Sequence, residues 1–156
     1  MSIWHYPLFH FHHHSVQQLC TYAKRKGVNI FLETCKTTTT NLIVTSRELR
    51  RFLDDVGADN LKGLSDTDQM ALAGEDISDY FANLGDKYGF VHFSDAGHTV
   101  PGTGGLPMKQ YFETLKARGY EGWCSCELCS REYYIDPDKA TDAYLDYLTN
   151  VLEAIK

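Results

Sequence analysis

Three carboxylates and an imidazole, Glu33, Asp66, Glu127 and His92, stand at the ends of short apolar runs spread through a chain of 156 residues. The runs close as Leu32-Glu33, Ser65-Asp66, Val91-His92-Phe93-Ser94-Asp95 and Cys126-Glu127-Leu128. Brought into one mouth, three carboxylates repel one another unless a divalent cation sits between them. Oxygen ligands with a single nitrogen suit Mn²⁺, Mg²⁺ or Co²⁺ better than a structural zinc, with Mn²⁺ first and Zn²⁺ last. Spacing alone leaves a second reading open, in which these are solvated strand-end charges that cap loops and neighbouring helices.

Convergence depends on the alternation of side chains along a strand. With Glu33 inward, Phe31 is inward too, while Ile30 and Leu32 face the helices. With His92 inward, Val91 and Phe93 face outward. With Glu127 inward, Ser125 joins it, and Cys124 and Cys126 pack beneath helices. In each run the more apolar set falls on the helix side, so the assignment is self-consistent.

The elements that must position these groups repeat. Gly27, Gly57, Gly89 and Gly119 are spaced 30, 32 and 30 residues apart, each preceded by an apolar stripe at helical spacing. The stripes are Val16/Leu19/Cys20/Ala23, Leu49/Phe52/Leu53/Val56, Ile77/Tyr80/Phe81/Leu84 and Met108/Tyr111/Phe112/Leu115. Thr45 with Glu48 forms a capping box for the second helix, and Asp136-Pro137 opens a fifth that carries Tyr144, Leu148 and Val151. After each glycine comes a strand-like run: Val28–Glu33, Leu61–Asp66, Phe90–Asp95 and Trp123–Leu128. Helix, turn and strand at a period of about 30 residues is the βα unit of a parallel sheet. The fold class is therefore α/β with four parallel strands and five helices, and its chemistry belongs at the carboxyl ends of the strands.

Composition removes several classes. Apolar residues make up 43% and charged residues 23%, ordinary globular usage, and no apolar run approaches the ~20 residues of a membrane span. Net charge is −6, and apart from Lys24-Arg25-Lys26 the basic residues are scattered, which argues against nucleic acid as a partner. Met1–Ser15 has no signal-peptide pattern, and five cysteines in such a chain read as reduced thiols in a cytoplasm.

The ordered set of motifs is more specific than any one of them. Leu32-Glu33 with Asn41, Ser65-Asp66-Thr67, Val91–Asp95, Val100-Pro101-Gly102-Thr103-Gly104, Arg118–Trp123 and Glu127 resemble, in that order, the sugar phosphate isomerase/epimerase family with its xylose-isomerase-like TIM barrel. Ser78-Asp79-Tyr80-Phe81, Leu84-Gly85-Asp86-Lys87 and Leu106-Pro107-Met108 bring the likeness nearest to fructoselysine 3-epimerase-like members. It covers residues 15–156 as a half barrel, strands five to eight of eight, and leaves 1–14 as an atypical aromatic and His-rich segment. The resemblance implies a divalent metal on Glu33, Asp66, His92 and Glu127, with Glu33 and Glu127 as the acid/base pair. It implies a sugar or sugar-amine substrate, epimerised or isomerised by proton transfer through an enediolate whose charge rests on the metal. Many relatives carry a histidine where this chain has Gln69; His98 matches a histidine that the fructoselysine-type members carry just before the Pro-Gly-x-Gly turn and is assigned to substrate binding, with a surface loop histidine as the alternative, and Asp95 reads as a structural acceptor.

Other groupings weigh less. Cys124, Cys126 and Cys129, with Cys35, could form a thiolate site, but alternation makes Cys124 and Cys126 small buried hydrophobes. His10, His12, His13 and His14 could chelate Zn²⁺ or Ni²⁺ adventitiously, and Pro101–Gly105 reads as a turn closing over a sugar. A half barrel with two open edges is expected to be a homodimer or higher oligomer, or to be covered by the aromatic segment Trp4 to Phe11. A non-catalytic half barrel that only binds or assembles is the alternative to an enzyme.

Overall fold

The computed structural model describes residues 5–129 and 131–155, and their side chains from residue 13 on except at 131 and 132. Strands β1 (Ile30–Glu33), β2 (Leu61–Asp66), β3 (Tyr88–Phe93) and β4 (Trp123–Cys126) form one parallel sheet in the order β1-β2-β3-β4. Around it lie α1 (His5–Lys24), α2 (Ser46–Val56), α3 (Thr67–Leu72), α4 (Ile77–Leu84), α5 (Met108–Ala117), α6 (Arg131–Ile135) and α7 (Pro137–Ala154). Four parallel strands were expected; among the described residues seven helices stand where five were. The additions, α3 and α6, have six and five residues, too few to show a helical stripe.

Local chemistry explains the remaining boundaries. The Thr45–Glu48 capping box opens α2, and Asp136 accepts the Lys139 N–H at 3.1 Å to open α7. β2 has the expected bounds, β1 starts at Ile30, β4 stops at Cys126, and β3 begins two residues earlier than expected. The last difference has a clear cause. Gly85, at φ +56°, ends α4, so Gly89 is free to lie inside β3, where an added Cβ would stand 2.8 Å from Phe31 Cε1.

The helix-facing side of the sheet is closed over β2 and β3. Leu61, Val91 and Phe93 are buried there with Leu49, Leu53, Tyr80, Leu84 and Met108, and Phe93 stacks on Phe112 with ring centroids 4.0 Å apart. On the other side Phe31 meets Phe90 at 5.3 Å, both half-buried, and Trp123 is 72% exposed. The cysteines of β4 depart from expectation. Cys124 lies opposite Val91, on the helix-facing side, yet Cys124 and Cys126 are both exposed, because β4 is an edge strand with a neighbour on one flank only. The N-terminal residues 1–4 and the side chains of His10 and His12, and with them the expected histidine chelate and the Trp4–Phe11 cover, lie outside the described residues.

Candidate metal centre at the strand ends

Register gathers the chemistry. Asp66 pairs with His92, His92 pairs with Ser125, and Glu127 follows Ser125 by two residues on the same face. Glu33 pairs with Leu64, two residues before Asp66, so all four side chains face one mouth. One ligand atom from each of Glu33, Asp66, His92 and Glu127 lies within 4.8 Å of every other. His92 Nδ1 is 2.9 Å from Glu127 Oε2 and 3.5 Å from Glu33 Oε1.

Exposure divides the four. Asp66 is fully buried; one carboxylate oxygen caps α3 by accepting the Gln69 N–H at 2.8 Å, and the other accepts from the Ser94 hydroxyl at 3.0 Å. Burial nevertheless pushes its pKa above the ordinary carboxylate value, against the Gln69 N–H, His98 and Ser94. The Glu33 carboxylate beside His92 holds that imidazole above the usual histidine value, against desolvation, and Glu127 and Asp66 add to the effect. His92 Nδ1 and Glu127 Oε2 are buried and have no partner in hydrogen-bonding geometry. Buried polar atoms are rarely left so, and a cation shared by the four groups would satisfy both.

His98 stands beside this set, with Nε2 at 3.6 Å from Asp66 Oδ2 and 3.9 Å from Glu127 Oε2. Asp95 is turned elsewhere: it accepts backbone N–H groups of Ala96, Gly102 and Leu106 at 2.7 to 2.8 Å, folding the Pro101–Gly105 turn back on itself. The two groups of potential metal ligands among the described residues, Glu33/Asp66/His92/Glu127 and Asp66/Asp68/His98, contain no cysteine. One residue was missed in the sequence: Asp68 is buried with Oδ2 3.1 Å from His98 Nδ1. Gln69, noted there as a departure from many relatives, accepts the Lys36 N–H on Oε1 at 2.8 Å. The available signal was the Asp-Thr-Asp spacing, which puts a second carboxylate on the first helical turn beside the strand-end aspartate.

A parallel α/β sheet with an acidic, imidazole-bearing mouth at its carboxyl ends defines half of a TIM-type barrel. The chain belongs to the xylose isomerase-like TIM barrel family, whose sequence profile matches residues 13–151. It is 29% identical over 119 residues to fructoselysine 3-epimerase from Escherichia coli, covering 73% of this chain and 43% of that protein. It is 32% identical over 123 residues to L-ribulose 3-epimerase from a Methylomonas species, covering 79% of this chain and 43% of that one. The crystal structure of D-allulose 3-epimerase from Methylomonas superposes with a TM-score of 0.81 at 27% identity, over 89% of this chain and 54% of the enzyme. The chain thus spans about 43% of the length of the curated relatives it matches.

Proposed function

We propose that this chain is a divalent-metal-dependent epimerase or isomerase of a sugar or sugar amine. The carrying observation is the convergence of Glu33, Asp66, His92 and Glu127, three carboxylates around one imidazole with one ligand atom of each within 4.8 Å of every other. Those four residues would hold the ion, Mn²⁺ ahead of Mg²⁺, Co²⁺ or Zn²⁺, and when bound it would supply Lewis acidity to a ketose carbonyl and its neighbouring hydroxyl. Asp66, held at both oxygens, is an anchor. Glu33 and Glu127, with side chains 28% and 35% exposed, come from opposite edges of the sheet and can exchange protons with the mouth. One removes the proton from the carbon beside the carbonyl, and the other returns a proton to the opposite face, inverting that carbon. His98 binds a substrate hydroxyl. The three relatives named above, 3-epimerases of ketoses or of fructoselysine, support this class.

A non-catalytic half barrel that binds or assembles is the second reading, favoured by the open inner face around Trp123 and by the two edge strands. Under either reading a second copy covering that face makes a homodimer or larger homo-oligomer, working in the cytoplasm. No described helix is long and apolar enough to cross a membrane. Incubating the Mn²⁺-loaded chain with ketoses in D₂O separates the readings: the enzyme labels the carbon beside the carbonyl, and the binding module labels none. Glu127→Gln is expected to slow exchange by about 10²–10⁴-fold and to weaken metal binding. Full exchange by that variant sinks the role given to Glu127.

A further inference from the structure

We propose that Asp68 is a positioning residue that fixes which ring nitrogen of His98 faces the mouth, and thereby makes His98 a hydrogen-bond acceptor for a sugar hydroxyl. The geometry is independent of the epimerase reading; the sugar as ligand rests on it.

Asp68 is 4% exposed, on the first turn of α3, and the loop after β3 occupies both of its oxygens. Oδ1 accepts the Gly97 N–H at 3.0 Å, and Oδ2 lies 3.1 Å from His98 Nδ1. The loop is tied down on its far side too, where the His98 carbonyl accepts the Cys129 N–H at 3.2 Å from beyond β4. His98 itself has φ +56°, the single described non-glycine residue in the left-handed region, so its ring reaches the mouth through an unusual backbone held by these bonds.

An ionised carboxylate only accepts hydrogen bonds, so Asp68 requires the proton on Nδ1. A ring carrying that one proton presents the Nε2 lone pair to the space bounded by Asp66 Oδ2 and Glu127 Oε2, at 3.6 and 3.9 Å. Those distances are too long for direct hydrogen bonds, and a lone pair facing them is matched by a ligand hydroxyl that donates. Gln69, the next residue after Asp68, already uses its one side-chain acceptor, Oε1, on the Lys36 N–H. The acceptor at this side of the mouth is therefore His98 Nε2, and its direction is set by a carboxylate that touches no substrate.

The test uses the uniformly ¹⁵N-labelled full chain at about pH 8.5, two units above the ordinary histidine range. Long-range ¹H–¹⁵N spectra report the tautomer of each imidazole, with the His98 signals identified by their loss in His98→Gln. The native chain is expected to hold His98 as one tautomer, protonated on Nδ1. Asp68→Asn keeps an oxygen for the Gly97 N–H but turns an amide N–H toward the ring, so the tautomer should switch to Nε2–H. A mixture of tautomers in the native chain, or no switch in the variant, overturns the proposal. Should Asp68→Asn fail to fold, the native spectrum still decides. With D-tagatose as the probe in the exchange assay, Asp68→Asn should raise KM by about tenfold with a smaller change in kcat, and an unchanged KM overturns the substrate contact. If the native chain exchanges no ketose proton, the epimerase reading fails, and the tautomer alone judges Asp68.

Discussion

The same four strands finish their two faces in opposite ways. On the helix-facing side Leu61, Val91 and Phe93 are buried, and a Cβ at Gly63 would stand 2.6 Å from Leu84 Cδ1 and 3.1 Å from Leu49 Cδ2, so a larger residue there must push the packed leucines aside. On the inner side Phe31 and Phe90 are half-buried, Trp123 is open to water, and the carboxylates and imidazoles gather at the strand ends. Close packing leaves no room for groups that repel one another, and an open face leaves room for them but contributes less to stability. Stability and chemistry are thus carried by opposite faces of one sheet.

Paired phenylalanines test that division most severely. Phe93→Ala should cost about 3–5 kcal/mol in urea unfolding, because the ring is fully buried on Phe112. Phe90→Ala, three residues away on the half-open face, should cost less than half of that, and equal costs would break the comparison. A kinetic check follows at the edge, where the helix-facing side is itself incomplete. Cys124 is exposed in area, yet desolvation around its sulfur raises the thiol pKa to about 11. Its alkylation at pH 8 should therefore run roughly 100-fold slower than that of a free cysteine, read by mass spectrometry; alkylation at the rate of a free thiol would show the edge to be as open as the mouth.

The smallest effect concerns the loop behind the mouth. Burial acts to raise the Asp95 pKa, but the N–H groups of Leu106, Gly104, Ala96 and Gly102 outweigh it and hold the carboxyl below its ordinary value. A carboxyl depressed on folding contributes stability that is present above the unfolded value, about 4, and lost as pH falls through the lower folded value. Unfolding free energy should accordingly fall more steeply below about pH 4 in the native chain than in Asp95→Asn. Identical acid slopes would remove Asp95 from the stabilising side of the molecule.

Sequence periodicity was a good guide where packing follows a repeat. The stripes ending at Val56 and Leu115 are buried as read, the one ending at Leu84 is buried apart from half-buried Phe81, and alternation put Glu33, His92 and Glu127 on one face, where Asp66 joins them. It failed where a local contact overrides the repeat. Gly89 looked like a helix-ending glycine, but Gly85 takes that role and Gly89 admits the Phe31 ring beside β3. Cys124 and Cys126 have the polarity of buried residues, but burial depends on a neighbouring strand that no property of the cysteines encodes. Asp68 escaped because its partner His98 is 30 positions away, reached by a left-handed backbone turn that has no sequence period.

The chemistry proposed for the mouth depends on Glu33, Asp66, His92 and Glu127 making a single cation site. Titrating the native chain with Mn²⁺ and following free ion by electron paramagnetic resonance tests it directly. The claim requires one tight site per chain, lost in Asp66→Asn and in His92→Ala while circular dichroism shows the fold retained. No tight site in the native chain, or a site that survives both substitutions, would contradict it.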